Sequence, residues 1–314
     1  MYFGCAGARV FAVATAETDF RRDECPHPAP TPEALQSLVN QTAQATLSEF
    51  ASNNLGPEEL AVTLVDLTFP SHSVQASYRG DAAIYPASIV KLFYLVAAHR
   101  WLEDGRLADT PELRRALRDM IVDSYNEATG YVVDLLTGTT SGPELSAAEI
   151  SSWHDQRGVV NRYFASLGYR GINVNKKTWC EGPYGRDKQV TQLFQPARNF
   201  LTTNASARLL TEIVTGRAVT RARSAQMMEL LKRDYSGPGN LNDQAHGYTG
   251  TALPPGTRLW SKAGWTSETR HDAAYVELPN GAKFVLVTFT VDQANERQII
   301  PDVAKSVMEG ISAP

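Results

Sequence analysis

The sequence predicts an α+β fold with one antiparallel, five-stranded sheet flanked by the terminal helices, plus a separate helical part. Apolar and polar residues alternate with a period of two only near the two ends of the chain, whereas the long middle has helical periodicity. Strands so far apart in sequence share one sheet when the two ends of the chain meet. The 314 residues, of which 43% are hydrophobic, are enough to bury a substantial core.

The predicted strands are rich in valine and threonine, and the first two and the last two form hairpins. Residues 279–281, Pro-Asn-Gly, supply the turn of the second hairpin. The predicted strands are ELAVTLVDLTFP (59–70), SVQASYRGD (73–81), RLWSKAGWT (258–266), HDAAYVELP (271–279) and AKFVLVTFTV (282–291).

Helical periodicity begins after Thr31, a good capping residue, with Pro32 in the first turn. The predicted helices span residues 31–51, 87–104, 111–137, 158–167, 203–215, 221–233 and 299–311. Residues 138–200 are the least regular and predict long loops, which are more often functional than idle in a compact domain.

The domain prediction separates an arm or leader remnant, residues 1–33, from one domain, residues 34–314. Its α/β part takes residues 34–85 and 255–314, and its helical part takes about 86–254. A groove between the two parts is a natural place for a ligand pocket.

Composition excludes several classes of function. The net charge is −4 and no basic block occurs, which argues against a nucleic-acid partner. No run reaches the roughly 20 apolar residues of a membrane span. The N-terminal segment contains AVATA, which resembles a small-residue cleavage site and favours a periplasmic or secreted protein; a simple arm is the alternative. Cys5, Cys25 and Cys180 lack metal-ligand spacing, so no metal is expected, and whether the first two pair stays open.

The stretch YPASIVKLFYLVAAHRWLEDG (85–105) places Ser88 three residues before Lys91, at the start of an apolar helix. Pro86 fits the first turn of that helix. The spacing puts the hydroxyl and the amine on one face, and a lysine desolvated among apolar side chains can act as the base for a serine nucleophile. A core helix with two incidental polar residues is the alternative.

Two further motifs follow in order: Ser-Tyr-Asn at 124–126, between apolar stretches, and Lys-Ala-Gly at 262–264, on a predicted strand. Together with Ser88 and Lys91 they resemble the three signatures of the penicillin-recognising serine enzymes. The resemblance is strongest to the class A β-lactamases and covers roughly residues 55–312. It implies the β-lactamase/transpeptidase-like fold and an acyl-enzyme formed on serine, with no cofactor.

By this resemblance, Ser88 is the nucleophile that becomes acylated and Lys91 is its proton partner. Ser124 relays a proton toward the leaving nitrogen of the substrate, and Asn126 holds a side-chain amide of the substrate. Lys262 supplies positive charge for Ser124 and for a substrate carboxylate.

The resemblance also implies an oxyanion hole made of the backbone N–H groups of Ser88 and Trp265. Gly264 lets the strand backbone approach the acyl group closely. Arg270 matches an arginine that helps to bind the substrate carboxylate in many class A enzymes. A turn arginine beside Glu268 is the alternative for that residue.

One departure concerns the second base that drives water onto the acyl-enzyme. Class A enzymes carry it in a Glu-x-x-Leu-Asn string, which this chain lacks. Glu181, in TWCEGPYG, is the best candidate for that base. The alternative is a structural loop carboxylate paired with Arg186 or Lys188. Without a working base the protein would bind penicillin covalently and not destroy it.

Another departure is Ala263, which replaces a serine or threonine whose hydroxyl would bind the substrate carboxylate. Thr266 or Ser267 can supply a substitute hydroxyl. Tyr125 stands where class A enzymes usually have aspartate and is interpreted as a packing residue or a wall of the site.

The leading hypothesis is therefore a serine hydrolase that acts on β-lactams or a related amide or ester, as a monomer. The alternatives are a D,D-peptidase or penicillin-binding protein acting on a peptidoglycan-derived substrate, and a catalytically impaired binding domain of the same fold.

Overall fold

The structure is a computed structural model that describes residue 1 and residues 30–69, 72–237, 239–240 and 243–312. Most of the predicted arm, including Cys5 and Cys25, lies outside the described residues. The helices are α1 (Pro32–Glu49), α2 (Val90–Glu103), α3 (Pro111–Arg118), α4 (Asn126–Thr137), α5 (Ala147–Arg157), α6 (Val159–Ser166), α7 (Gly185–Leu193), α8 (Thr203–Val214), α9 (Arg221–Leu231) and α10 (Ile299–Ser312). The strands are β1 (Leu60–Asp66), β2 (Val74–Tyr78), β3 (Lys232–Arg233), β4 (Arg258–Trp265), β5 (Arg270–Glu277) and β6 (Lys283–Thr290).

The strands form one antiparallel sheet in the order β2-β1-β6-β5-β4-β3. The five predicted strands are all present, but the prediction of five was wrong because β3 adds a sixth at the edge. Helix α9 ends at Leu231, and the next two residues pair with Leu259 and Trp260 of β4. A strand of two residues has no alternation to detect, so its residues were assigned to the preceding helix.

The sheet is covered on both faces, and β1 shows how. All seven residues of β1 are buried. Leu60, Val62 and Leu64 join the core beneath the terminal helices α1 and α10. Ala61 and Val65 join the core shared with α2, α8 and the helical part. Because successive side chains of a strand point to opposite faces, one strand supplies both cores.

The predicted helix over residues 111–137 is interrupted in the structure. A π-helical turn, Asp119–Asp123, follows α3, and α4 begins only at Asn126. The backbone N–H groups of Ser124 and Tyr125 both donate to Asp119 O, which closes the turn. Neither glycine nor proline marks this break in the sequence, so periodicity alone carried the predicted helix across it.

Residues 138–200 contain two helices, α5 and α7, that were expected to be loops. Ser146 and Glu149 form a capping box at the start of α5, a sequence signal that was available in SAAE. The buried Arg157 at the end of α5 pairs with Asp134 and Asp187, each at 3.3 Å, which ties α5 to α4 and α7.

Within the described ranges, none of the helices is both long and apolar enough to cross a membrane.

Candidate active site

Ser88 lies in a 3-10 turn, Ala87–Ile89, that leads directly into α2, and its side chain is partly exposed. Ala87 has a φ of 45°, in the left-handed region that a residue with a Cβ adopts only under strain. The buried His271 on β5 fixes the approach to this turn. Its Nε2 donates to Tyr85 O at 2.8 Å, while its Nδ1 accepts from Thr290 N at 3.1 Å.

Strand β4 passes very close to the Ser88 turn at Gly264. A Cβ built on Gly264 would lie 2.9 Å from both Pro86 O and Ser88 N. Such contacts with backbone atoms leave no room for a side chain, so glycine is required here for the approach of strand and turn. The approach brings the backbone N–H of Trp265, the next residue, beside the same turn, while the Trp265 side chain is 45% exposed.

The hydroxyl of Ser124 bridges two lysines that come from opposite parts of the chain. Lys91 Nζ lies 3.2 Å from Ser124 Oγ, and Lys262 Nζ lies 2.9 Å from it. Ser124 follows the π-helical turn with a φ of 61°, again in the left-handed region. This strained conformation, set by the turn, is what directs the hydroxyl between the two amines.

Lys91 is fully buried at the start of α2. Its Nζ also donates to Ser124 O at 2.6 Å and to Asn126 Oδ1 at 2.9 Å. Burial lowers the pKa of Lys91 to about 7, against the opposing effect of the Glu127 carboxylate. Near neutral pH this amine can therefore both give and accept a proton.

Lys262 is also fully buried, and a polar cluster surrounds it. Besides Ser124, its Nζ donates to Gln244 Oε1 at 2.6 Å and to Ala263 O at 2.7 Å. Three acceptors match the three N–H bonds of an ammonium group. Burial and the nearby Lys91 and Arg233 charges nevertheless lower the pKa of Lys262, so its proton is held less firmly than that of a lysine in water.

Two further buried residues, Asp272 and Arg233, act on Lys262 through their charges. Asp272, on β5, accepts from Thr249 N at 3.2 Å, and burial raises its pKa to about 6. Arg233, on β3, donates to Ile121 O at 3.1 Å and to Ser261 O at 2.7 Å. Arg233 therefore joins the edge strand, the π-helical turn's Ile121 and β4.

Thr266 and Arg270, two of the residues predicted to bind the substrate carboxylate, are both engaged within the protein. The Thr266 hydroxyl is engaged in the turn between β4 and β5, where it accepts from Glu268 N and Thr269 N, each at 3.1 Å. Arg270 is only 5% exposed, and its guanidinium stacks on the ring of Tyr248 at 4.0 Å. Both residues lie beside Trp265, since Thr266 follows it and Arg270 is its pairing partner on β5.

The loop at residues 179–184 reaches the site through Asn126. Asn126 Nδ2 lies 3.4 Å from Trp179 O and 3.8 Å from Cys180 Sγ. Glu181 is exposed, and neither a hydrogen bond nor an ion pair links its carboxylate to another residue within the described ranges. Tyr125 is 58% exposed, which fits a wall of the site and not a packing residue.

Similarity to known proteins agrees with this geometry. Residues 41–311 match the β-lactamase enzyme family. The chain belongs to the β-lactamase enzyme family. It is thus a β-lactamase-like serine hydrolase, as the three motifs predicted, and the predicted family and α+β fold are confirmed.

Solved structures show the same fold. A β-lactamase from Sphaerobacter thermophilus is 20% identical with a TM-score of 0.63, over 88% of this chain and 99% of that one. A β-lactamase from Chitinophaga pinensis is 17% identical with a TM-score of 0.64, over 87% of this chain and 100% of that one. The protein PBP-A is 18% identical with a TM-score of 0.61, over 88% of this chain and 96% of that one.

Sequence reasoning missed several polar residues of the site. Gln244 bridges both sides of the centre, since its Oε1 accepts from Lys262 and Ala263 and its Nε2 donates to the π-helical turn at Ile121 and Val122. It lies in no motif, so no sequence signal pointed to it. The buried His271 and Asp272 were readable as polar residues inside an otherwise apolar strand, HDAAYVELP, which is unusual enough to mark them.

Proposed function

We propose that the protein forms an acyl-enzyme on Ser88 by the mechanism of class A β-lactamases. Lys91, in its neutral form, accepts the proton of the Ser88 hydroxyl as Oγ attacks the carbonyl carbon of a β-lactam or related amide. Ser124, between Lys91 and Lys262, passes a proton to the leaving nitrogen, and the C–N bond breaks. The products of this step are the acyl ester on Ser88 and a neutral amine, which in a β-lactam stays attached to the acyl group.

The observation that carries this proposal is the position of Ser124 Oγ, within 3.2 Å of Lys91 Nζ and 2.9 Å of Lys262 Nζ. A serine hydroxyl is a poor acid and base in water. Between two amines, however, it can give up its own proton while it accepts another from an amine, and so it stays neutral. The three motifs lie far apart in sequence, and a purely structural role does not require them to converge on one hydroxyl.

The remaining roles follow from position. The backbone N–H groups of Ser88 and Trp265 would stabilise the oxyanion, since Gly264 lets β4 approach the turn that carries Ser88. Asn126, already bonded to Lys91, would hold the amide side chain of the substrate. Lys262 provides the positive charge for a substrate carboxylate. Thr266 and Arg270 are proposed to act in support, by shaping the end of β4.

A β-lactam-like substrate is also supported by the similar proteins. A structure of a PBP-A variant, 18% identical to this chain, is described as an acyl-enzyme complex with penicillin G. For this chain we propose the same kind of adduct, formed by a monomer outside the cytoplasm, in the periplasm or after secretion. Turnover of β-lactams by such a protein would confer antibiotic resistance.

The test combines nitrocefin turnover with intact-mass measurement after mixing with penicillin G. The expected result is an adduct of the mass of penicillin G on Ser88, and none in Ser88→Ala. Absence of both nitrocefin turnover and any adduct over the full pH range in which the protein is folded would exclude acyl transfer and leave the impaired binding domain.

A second function, that of a D,D-peptidase or penicillin-binding protein, is favoured by one observation. Glu181, the sequence candidate for the deacylating base, is exposed and has no partner among the described residues. We leave Glu181 outside the proposed machinery. An adduct that persists for hours, with release of D-alanine from a peptidoglycan-type peptide, would identify this alternative.

A further inference from the structure

Another carboxylate, Glu127, lies beside the lysine centre. It is the residue after Asn126, in the first turn of α4, and its side chain is exposed. Its Oε1 accepts a hydrogen bond from Cys180 Sγ at 3.1 Å. The same sulfur lies 3.8 Å from Asn126 Nδ2, and Asn126 Oδ1 accepts from Lys91 Nζ. A continuous chain of contacts thus runs from Lys91 to the Glu127 carboxylate.

Electrostatics places Glu127 in the same site. The hydrogen bond from Cys180, its largest influence, lowers the pKa of Glu127, and the Lys91 charge lowers it further. In return Glu127 raises the pKa of Lys91 against the effect of burial. The carboxylate is therefore ionised at neutral pH, open to solvent and coupled to the base of the acylation step. Glu181 is also exposed, but within the described residues no hydrogen bond links its carboxylate to Cys180 or Asn126.

Cys180 serves as a donor and not as a second nucleophile. The hydrogen bond to Glu127, its largest influence, raises the pKa of the Cys180 thiol, so the thiol keeps its proton at neutral pH. A protonated thiol can hold the Glu127 carboxylate in one orientation. Trp179, which precedes Cys180, in turn contacts Asn126 through its carbonyl.

We propose that Glu127 is the general base of deacylation and that Cys180 positions it. This rests on the proposed acylation of Ser88. A water molecule gives a proton to the Glu127 carboxylate while its oxygen bonds to the acyl carbon. The bond between that carbon and Ser88 Oγ then breaks, and the proton moves from Glu127 to Ser88 Oγ. The products are a carboxylic acid and the free serine, with no other reactant.

The test is the decay of the penicillin G adduct, followed by intact mass after removal of excess penicillin. Glu127→Gln is expected to keep forming the adduct and to slow its decay by about 10²- to 10³-fold, the range typical of a lost general base. Glu309→Gln, an exposed glutamate of α10 on the far side of the sheet, is the matched control. Retained acylation in Glu127→Gln shows that this variant folds.

Variants of Cys180 test whether its side chain positions the Glu127 carboxylate or has only a structural role. Cys180→Ala is expected to slow decay of the adduct about 3- to 10-fold, since it removes one hydrogen bond from a weak S–H donor to the base. Cys180→Ser, which keeps a donor, is expected to restore most of the rate. The decay rate of the wild type is expected to fall at acid pH as Glu127 is protonated, and this acid limb is expected to be absent in Glu127→Gln.

Four results would overturn the inference. Equal decay in wild type and Glu127→Gln, or strong slowing in Glu181→Gln in its place, would remove Glu127 from the reaction but keep the proposed acylation. A wild-type adduct that never decays would do the same. Absence of an adduct in the wild type and every variant would overturn the proposed function together with this inference.

Discussion

The buried lysine centre and the loop at residues 179–184 contribute to one site but are fixed very differently. Lys91 and Lys262 are fully buried, and each amine contacts three acceptor atoms at 3.2 Å or less. In the loop, Glu181 is exposed without a partner among the described residues, and Cys180 contacts the site at Asn126 and Glu127.

This difference separates the two halves of the proposed reaction. The groups that form the acyl-enzyme are preorganised by the core, because moving a buried amine would break several hydrogen bonds at once. The groups that remove the acyl chain lie at the solvent-exposed edge, where few contacts define them. Changes in the centre should therefore abolish acylation, and changes in the loop should leave acylation intact.

The largest effect is expected from Lys91→Met, which replaces the base by an apolar side chain of similar length. The acylation rate measured with nitrocefin is expected to fall by about 10³-fold, within the range for a lost general base. An acylation rate of this variant within tenfold of the wild type would show that Lys91 is a structural residue. The buried lysine centre would then not be the part of the site that forms the acyl-enzyme.

Gly264→Ala is expected to have the next largest effect. The new Cβ, 2.9 Å from Ser88 N, forces β4 away from the nucleophile turn and misplaces the Trp265 N–H. Acylation is expected to slow by about 10- to 100-fold, less than complete loss of an oxyanion donor. Nitrocefin kinetics measure this, with circular dichroism to verify the fold. An unchanged rate would mean that the backbone N–H groups of Ser88 and Trp265 do not bind the oxyanion.

The pH dependence of acylation follows from the pKa of Lys91, about 7. The neutral amine is the active form, so the rate rises with pH through 7, and at pH 6 it is expected to be about a tenth of its plateau. Stopped-flow acylation between pH 5 and 9 measures this limb. A rate independent of pH over that range would show that another group accepts the serine proton.

The strain at Ser124 predicts a smaller effect, on stability. Glycine tolerates the φ of 61° that costs other residues energy, so Ser124→Gly is expected to have a free energy of unfolding about 1 kcal/mol higher than Ser124→Ala. Both variants lack the hydroxyl and are expected to lose acylation alike. Denaturant unfolding compares the two, and a more stable alanine variant would argue against stored strain.

The smallest effect is expected in the loop. Tyr184 is 58% exposed and packs edge-on against Trp179, with ring centroids 5.7 Å apart. Tyr184→Ala is expected to change the acylation rate by less than about twofold, as for most surface substitutions. A larger loss of acylation would show that the loop also organises the lysine centre.

Much of the fold was predictable because alternation and helical periodicity report burial directly. The five longer strands, the capped start of α1 at Thr31 and the hairpin at Gly281 follow from local pattern. The break in the helix before Ser124 and the strand at Lys232 were missed. Neither has a local signature, since both are imposed by packing against neighbouring elements.

The sequence by itself determined the residue types and order of the three motifs, and with them the family. Tertiary structure alone decided that one hydroxyl, that of Ser124, meets two amines from residues 91 and 262. It also brought Gln244 to Lys262, and it gave Glu127, not Glu181, the contact with Cys180. The reason is physical: motif spacing fixes neighbours within a helix turn, whereas contacts between residues on different elements depend on how helices and sheet pack.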